Sequence, residues 1–379
     1  MILATPISVL RAMASVAKRR WIESRLKSAR SNLGIVRPTP PAIAGHYLVS
    51  GNKGIFSVGP EGIAQVSKLG AFGIALTADT LYAAGVEGDD SVVFAGDAKA
   101  LQGSHRPFAW RSVYRVSNAG HSGRIHQIAV AGDSLWIANT AKNSYVKVNR
   151  HTGEWQGAFA PFRCSFGFPI LNDHNHVNAV FPTKNYLLFG AFRINRQSAF
   201  GLCGKGKVFL YGYRNMGIHD CIVSGYDLWF SDSYRYFDGT PGGVPCLNGQ
   251  AIDSDYFTAH PAHFVRGIAG YGNEVLVGNS VVAERANRFE GDGELILLSD
   301  RKVVSRFAIP TAQVCDIIRA DGRHFERDPE PATFEDAAAL LNSVFGEPVE
   351  QLDLLDVAVG ARGTKTFAAV DVGDLKEYM

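Results

Sequence analysis

His126-Gln-Ile-Ala-Val-Ala-Gly-Asp-Ser-Leu-Trp-Ile-Ala-Asn139 and His219-Asp-Cys-Ile-Val-Ser-Gly-Tyr-Asp-Leu-Trp-Phe-Ser-Asp232 share one grammar. Each opens on a histidine, runs through a short apolar stretch, turns at a glycine (Gly132, Gly225) and returns with Leu-Trp nine and ten residues after the histidine. Short apolar runs bounded by Gly, Asn and Asp are the pattern of strands joined by tight turns. Weaker copies begin at Phe72, Asn178, Arg266 and Asp316, and the first three reach Leu81-Tyr82, Leu187-Leu188 and Val275-Leu276 at the equivalent place. Six units at intervals of roughly 40 to 55 residues match the period of four-stranded propeller blades. The sequence therefore predicts an all-β, six-bladed β-propeller.

The flanks complete that expectation. His46 to Leu69 offers up to three further strands, which would finish the blade opened at Asp316 and leave no free sheet edge. The propeller then spans residues 42–379, preceded by residues 1–41. Helical grammar returns once, over Thr333 to Phe345, with Thr333 as N-cap, Glu335 and Asp336 in the first turn and Gly346 as the stop. This helix is expected as an insertion in the last blade, with Leu355 to Val359 and Thr366 to Val372 as the final strands.

Residues 1–41 read as a basic amphipathic helix followed by a Pro-rich linker. Leu3, Ile7, Leu10, Ala14, Ala17 and Trp21 recur at helical spacing. The cluster Lys18-Arg19-Arg20 follows the apolar stretch, the reverse of a secretory signal, so export is not expected. The helix either packs on its own domain with a solvated basic face, or docks through residues 1–32 on an anionic membrane surface or a protein partner. Across the whole chain, 38 Lys and Arg face 36 Asp and Glu, a balance that argues against nucleic acid as the partner. Five cysteines without a CxxC pair suit reduced thiols in a cytoplasmic protein, peripheral to a membrane if the first segment docks there. No run of 18 apolar residues marks a transmembrane helix.

The segments GRIHQIAVAGDSLWIANT, DHNHVNAVF, MGIHDCIVSGYDLWFSDS, HFVRGIAGYGNEVLVGNSVVAER and VCDII resemble, in that order, those of an uncharacterised bacterial β-propeller family, domain of unknown function 4915. The resemblance runs from about Arg124 to Ile318. One departure is Val177-Asn178-Ala179, where the family shows an Asn-Gly pair after the histidine. The resemblance implies six blades and supplies no reaction.

Chemistry must then come from where the repeat places side chains. The first strand of each blade lines the central channel, so Phe72, His126, Asn178, His219, Arg266 and Asp316 are expected to form a ring, with His176, Asp220 and His263 beside it. Three readings stay open for that ring. His126, His176 and His219 would hold a divalent metal such as Zn or Fe, although the guanidinium of Arg266 opposes a dication. Alternatively Arg266 grips the carboxylate or phosphate of a small or saccharide anion while a histidine, paired with Asp220 or Asp316, moves a proton, as a lyase, epimerase or hydrolase would require. Thirdly, the ring is a structural hydrogen-bond network and the propeller a non-catalytic interaction scaffold. His176, Asn178 and His263 are the further candidate ligand contacts.

The Gly-rich insert from Tyr234 to His260 offers Tyr234, Tyr236, Phe237 and Tyr256 as stacking surfaces, or else supplies outer strands of the fourth blade. Cys221 and Cys315 read as packing thiols turned away from the ring. Gly201 to Lys207 has the spacing of a phosphate loop, but Val208 replaces the required hydroxyl residue and a strand follows. It reads as a glycine-rich turn, and no nucleotide cofactor is expected.

Overall fold

The computed structural model describes residues 36–37, 43–102, 108–117, 124–162, 175–194, 197–213, 216–234, 243–260, 263–281, 287–325, 331 and 333–353. The proposed N-terminal helix, Tyr236, Phe237 and the two final strands lie outside them.

Six antiparallel sheets of four or five strands form a six-bladed propeller. The inner strands are Gly73–Leu76, Ile125–Ala131, Val177–Pro182, Met216–Ser224, Val265–Tyr271 and Val314–Arg319, for blades one to six in that order. The turn after three of them falls on a glycine with positive φ, Gly132 (57°), Gly225 (61°) and Gly272 (59°), each six residues beyond the ring position. A left-handed residue is what a tight hairpin demands, which is why the turn glycine repeats.

Sheets stack face to face, so central strands are covered on both sides and read as continuous apolar runs. Tyr82, Val93, Ile128, Leu135 and Val148 fill one such gap, between blades one and two. Tyr47, Val49, Phe56, Leu276 and Leu297 fill the gap between blades five and six. Each fully buried side chain of this size contributes roughly 1.5 to 3 kcal/mol by leaving water.

Blade six joins the two ends of the chain. Its inner strand Val314–Arg319 pairs antiparallel with Tyr47–Gly51, with Leu48 opposite Ile318 and Ser50 opposite Asp316. Gly54–Gly59, Gly62–Ser67 and Val36–Arg37 follow outwards. The buried carboxylate of Glu274, on blade five, accepts hydrogen bonds from the backbone of Ala44 (2.8 Å) and Gly45 (3.2 Å) and from the Tyr47 hydroxyl (2.7 Å). The strands supplied by the early chain are thereby latched to the blade beside them.

Helix α1 (Ser254–Ala259) lies in the insert after the outer strands Val244–Leu247 and Gln250–Ala251, so residues 244–251 complete blade four. Helix α2 (Phe334–Phe345) has the expected limits and a full capping box between Thr333 and Asp336. Its place differs from the expectation. It does not interrupt blade six but packs on blade three, where Phe345 stacks on Phe200 (4.7 Å) and Phe334 meets Phe209 edge-on (5.2 Å). Glu350–Asp353 then adds a fifth strand to that same blade. Gly201 to Lys207 is a hairpin whose turn residues Lys205 and Gly206 have positive φ.

Candidate functional site

At one end of the channel, Phe72, His126, Asn178, His219, Arg266 and Cys315 surround a narrow cavity of about 10 Å3, with Gln127 and Asp220 beneath. The sixth ring position is thus Cys315, not Asp316. The aligned copies are Ile125-His126-Gln127, Ile218-His219-Asp220 and Val314-Cys315-Asp316, so Asp316 occupies the place of Gln127 and Asp220. A bulge brings both members of each pair inwards. Strand register slips opposite His126-Gln127 and Cys315, and at Asn178, after His219 and at Gly267. An extra residue in an inner strand breaks the alternation of faces, so two successive side chains approach the axis.

The lower layer ties blades together. Gln127 Oε1 accepts from Val180 N (2.7 Å), Asp220 Oδ2 from Gly267 N (3.0 Å) and Asp316 Oδ2 from Ile74 N (3.0 Å), each bond crossing to the inner strand of a neighbouring blade. Asp220 and Asp316 are 3% and 1% exposed. Burial, and secondarily the charge of Asp316, raises the pKa of Asp220 to about 7. Gly267 itself has φ +73°, and a Cβ there would lie 2.9 Å from Ile317 N, so no side chain fits between blades five and six at this level.

The upper layer is held differently. His219 Nδ1 lies 2.8 Å from Gly217 O and 2.7 Å from Ser233 Oγ, and Ser233 donates its only hydrogen to Val265 O on the next blade (2.6 Å). Both neighbours of Nδ1 are therefore acceptors, so Nδ1 carries the proton and Nε2 a lone pair. His126 repeats the arrangement, with Nδ1 at 3.1 Å from Arg124 O and 2.7 Å from Thr140 Oγ1, which donates to Val177 O. The third copy, Ser280 to Val314 O (2.9 Å), lies fourteen residues after Arg266, the same offset as in the histidine blades.

Spare acceptors result. His219 Nε2 is buried without a hydrogen-bond partner among the described residues, as is Asn178 Oδ1, whose Nδ2 donates to Ile218 O. Burial holds the pKa of both histidines well below the ordinary value; for His219 the charge of Arg266 is the next cause, and for His126 that of His176. Arg266 stacks over the Phe264 ring at 4.4 Å. Burial pushes the Cys315 thiol up to about 11, so it is no thiolate nucleophile at neutral pH.

His176 joins this mouth, its ring 4.7 Å from His126, while His126 and His219 stand 6.4 Å apart. Among the described residues no group of three or more His, Cys, Asp or Glu side chains is arranged to hold a metal ion. His263 lies elsewhere: it packs edge-on against Phe257 (4.9 Å), and burial, followed by the charge of Arg306, draws its pKa down to about 4. Tyr256 stacks on His260 rather than on the ring (4.5 Å), and Tyr234 ends the second strand of blade four with its backbone opposite Met216. Sequence reasoning missed Gln127, the hydroxyls of Thr140, Ser233 and Ser280, and Cys315 as a ring member; the fourteen-residue offset from each ring position was the available signal for the hydroxyls.

No helix among the described residues is long and apolar enough to cross a membrane. No family model matches the chain, and no curated protein matches it. Solved structures with a similar arrangement include a chain of a nidogen–laminin complex (TM-score 0.47, 10% identity, 72% of this chain and 97% of that one). A PQQ-bound aldose sugar dehydrogenase from Streptomyces coelicolor gives 0.46 and 15% over 72% and 95%. The hydrazine synthase of Kuenenia stuttgartiensis gives 0.44 and 11% over 72% and 85%. At such values these likenesses assign no activity to this chain, whose six-bladed arrangement is read from its own six sheets.

Proposed function

We propose that the ring mouth binds a small hydroxylated anion, with Arg266 holding the carboxylate or phosphate and His219 accepting a proton from the ligand as a general base. One observation carries this reading: the Nε2 of His219 is buried, holds a lone pair, and faces no hydrogen-bond partner among the described residues, while its Nδ1 proton is committed. Asn178 Oδ1 supplies a second acceptor for a ligand hydroxyl. The guanidinium offers paired donors in a plane that fits two anionic oxygens.

Binding and basicity are coupled in this arrangement. Arg266 depresses the basicity of His219. A ligand anion offsets that charge, so the imidazole becomes a stronger base when substrate arrives. Proton abstraction beside a carboxylate suits a lyase or epimerase. Asp220 and Asp316 are better read as interblade braces than as the partners of a catalytic histidine, because their Oδ2 atoms accept backbone N–H groups.

Calorimetric titration with uronic acids, hydroxy acids and sugar phosphates tests the reading. Binding of the anions is expected in the unmodified protein with heats independent of buffer ionisation, because His219 Nε2 keeps its lone pair for the ligand's own proton, and should weaken at least tenfold in His219→Ala. If neutral sugars bind equally well, the site is no anion site. If no ligand of either kind binds, the scaffold reading gains.

A further inference from the structure

Below the layer of Gln127, Asp220 and Asp316, the channel widens into a second cavity of about 120 Å3. Five inner strands line it with Ile74, Ile128, Val180, Ile222 and Ile318, and Phe325 closes one side. Phe325 belongs to the turn after the inner strand of blade six, and two contacts fix it there. Its ring stacks on Trp229 at 4.5 Å, and His324 O accepts from Gly270 N at 2.7 Å. The cavity is therefore preformed by strands and a tethered turn.

One polar spot interrupts the apolar wall. His324 lines the cavity, and its Nε2 stands 3.6 Å from Asp316 Oδ1, beyond hydrogen-bonding distance. Both atoms are buried, and neither has a hydrogen-bond partner among the described residues. The other oxygen of Asp316 is occupied by Ile74 N. An acceptor and an imidazole nitrogen are thus left side by side at the edge of an apolar space. At the rim, Arg323 lies 3.8 Å from Asp321.

We propose that this second cavity is a binding site for a neutral, mainly apolar small molecule carrying one hydroxyl or N–H group, which it places against Asp316 and His324. Its volume of about 120 Å3 is near the roughly 150 Å3 at which a dry apolar cavity takes a benzene-sized molecule, and the pattern of apolar walls with a few convergent polar groups is the one small-molecule sites show. A hydroxyl donates to Asp316 Oδ1 and meets the imidazole at the same time. An anion is disfavoured because Asp220 and Asp316 place two carboxyl groups in the layer directly above. The proposal is independent of the ring mouth, from which the brace layer separates it.

Methyl-labelled NMR of the full chain tests it with three probes of one size: benzyl alcohol, toluene and benzoate. Benzyl alcohol should give saturable shifts in the methyl signals of Ile74, Ile128, Ile222 and Ile318. Toluene should bind at least threefold more weakly, and benzoate at least tenfold. Ile128→Phe and Ile222→Phe, checked for native circular dichroism, should each weaken benzyl alcohol about tenfold by filling the space. Asp316→Asn, which keeps an acceptor for Ile74 N, should remove the preference for the alcohol over toluene. Absence of saturable shifts with every probe overturns the site. Benzoate binding as tightly as benzyl alcohol, or an unchanged preference in Asp316→Asn, overturns the assigned ligand class.

Discussion

His219 and Asp220 are neighbours in the chain, both polar, both buried and both on the channel axis, yet they do opposite work. The carboxylate of Asp220 is tied to the backbone of the next blade, whereas the imidazole of His219 keeps its outer nitrogen unbonded among the described residues. The same contrast separates Asp316 from the ring above it. A side chain that satisfies a neighbour's N–H maintains the blade spacing; one braced through Nδ1 with Nε2 spare is positioned for a ligand. Polarity on a propeller axis is therefore no index of function until each lone pair is assigned.

The hardest test of that contrast is Asp316→Ala. It orphans the buried Ile74 N–H and empties the space between blades six and one, so a loss of about 2 to 4 kcal/mol in chemical denaturation is expected. Arg266→Ala, at the cavity rim, should cost less than 1 kcal/mol. Equal losses would erase the distinction between the layers.

Acidity separates the layers next. The pKa of Asp220 is about 7 in the fold against an ordinary 3.8, so the native state holds this proton more tightly than the unfolded chain. Its contribution is fully present below pH 3.8 and is lost as pH rises to about 7, by an amount on the order of a few kcal/mol. His126 and His219 act in the opposite direction, costing stability as pH falls below 6.5, because the unfolded imidazoles take up protons first. The difference between Asp220→Asn and the unmodified protein isolates the carboxyl. The variant should gain relative stability between pH 4 and pH 7. A difference flat across that range would remove the buried-acid assignment.

How far the sequence reached depended on how local each feature was. The strand, the turn glycine and the second strand with Leu-Trp lie within fourteen residues, so the repeat was visible, and with it five of the six ring members. The sixth slipped by one because Asp316 is polar and Cys315 is not, and a bulge, which brings both inward, leaves no mark in residue type. Helix α2 had its caps in plain view, but its destination on blade three rests on Phe200, Phe209 and other residues far away in the chain. His263 was placed beside the ring by sequence proximity alone; Phe257 and Tyr256 form its actual surroundings.

A smaller effect concerns the braces. Removing the hydroxyl in Ser233→Ala takes one acceptor from His219 Nδ1 and one donor from Val265 O, for a loss of about 1 kcal/mol. The informative readout is the imidazole nitrogen spectrum. In the unmodified protein His219 should appear as the single Nδ1–H tautomer, and in Ser233→Ala a second tautomer should become populated. A single Nε2–H tautomer in the unmodified protein would contradict the spare lone pair on which the ligand reading rests.

The smallest change in stability, and the sharpest in binding, is expected for Arg266→Lys. Lysine preserves one positive charge and much of the stem, so the folded protein should melt within about a degree of the unmodified one. What it loses is the planar pair of donors and the flat face that lies on Phe264. If the ring mouth recognises two oxygens of one carboxylate or phosphate, thermal stabilisation by uronic acids and sugar phosphates should fall at least tenfold in apparent affinity in the variant. If Arg266 served only to balance the buried carboxyl groups of the layer beneath, an ammonium would serve as well, and the response to anions would be the same in both proteins. The outcome decides whether the polar ring is a second tier of braces or the part of the channel that meets a ligand.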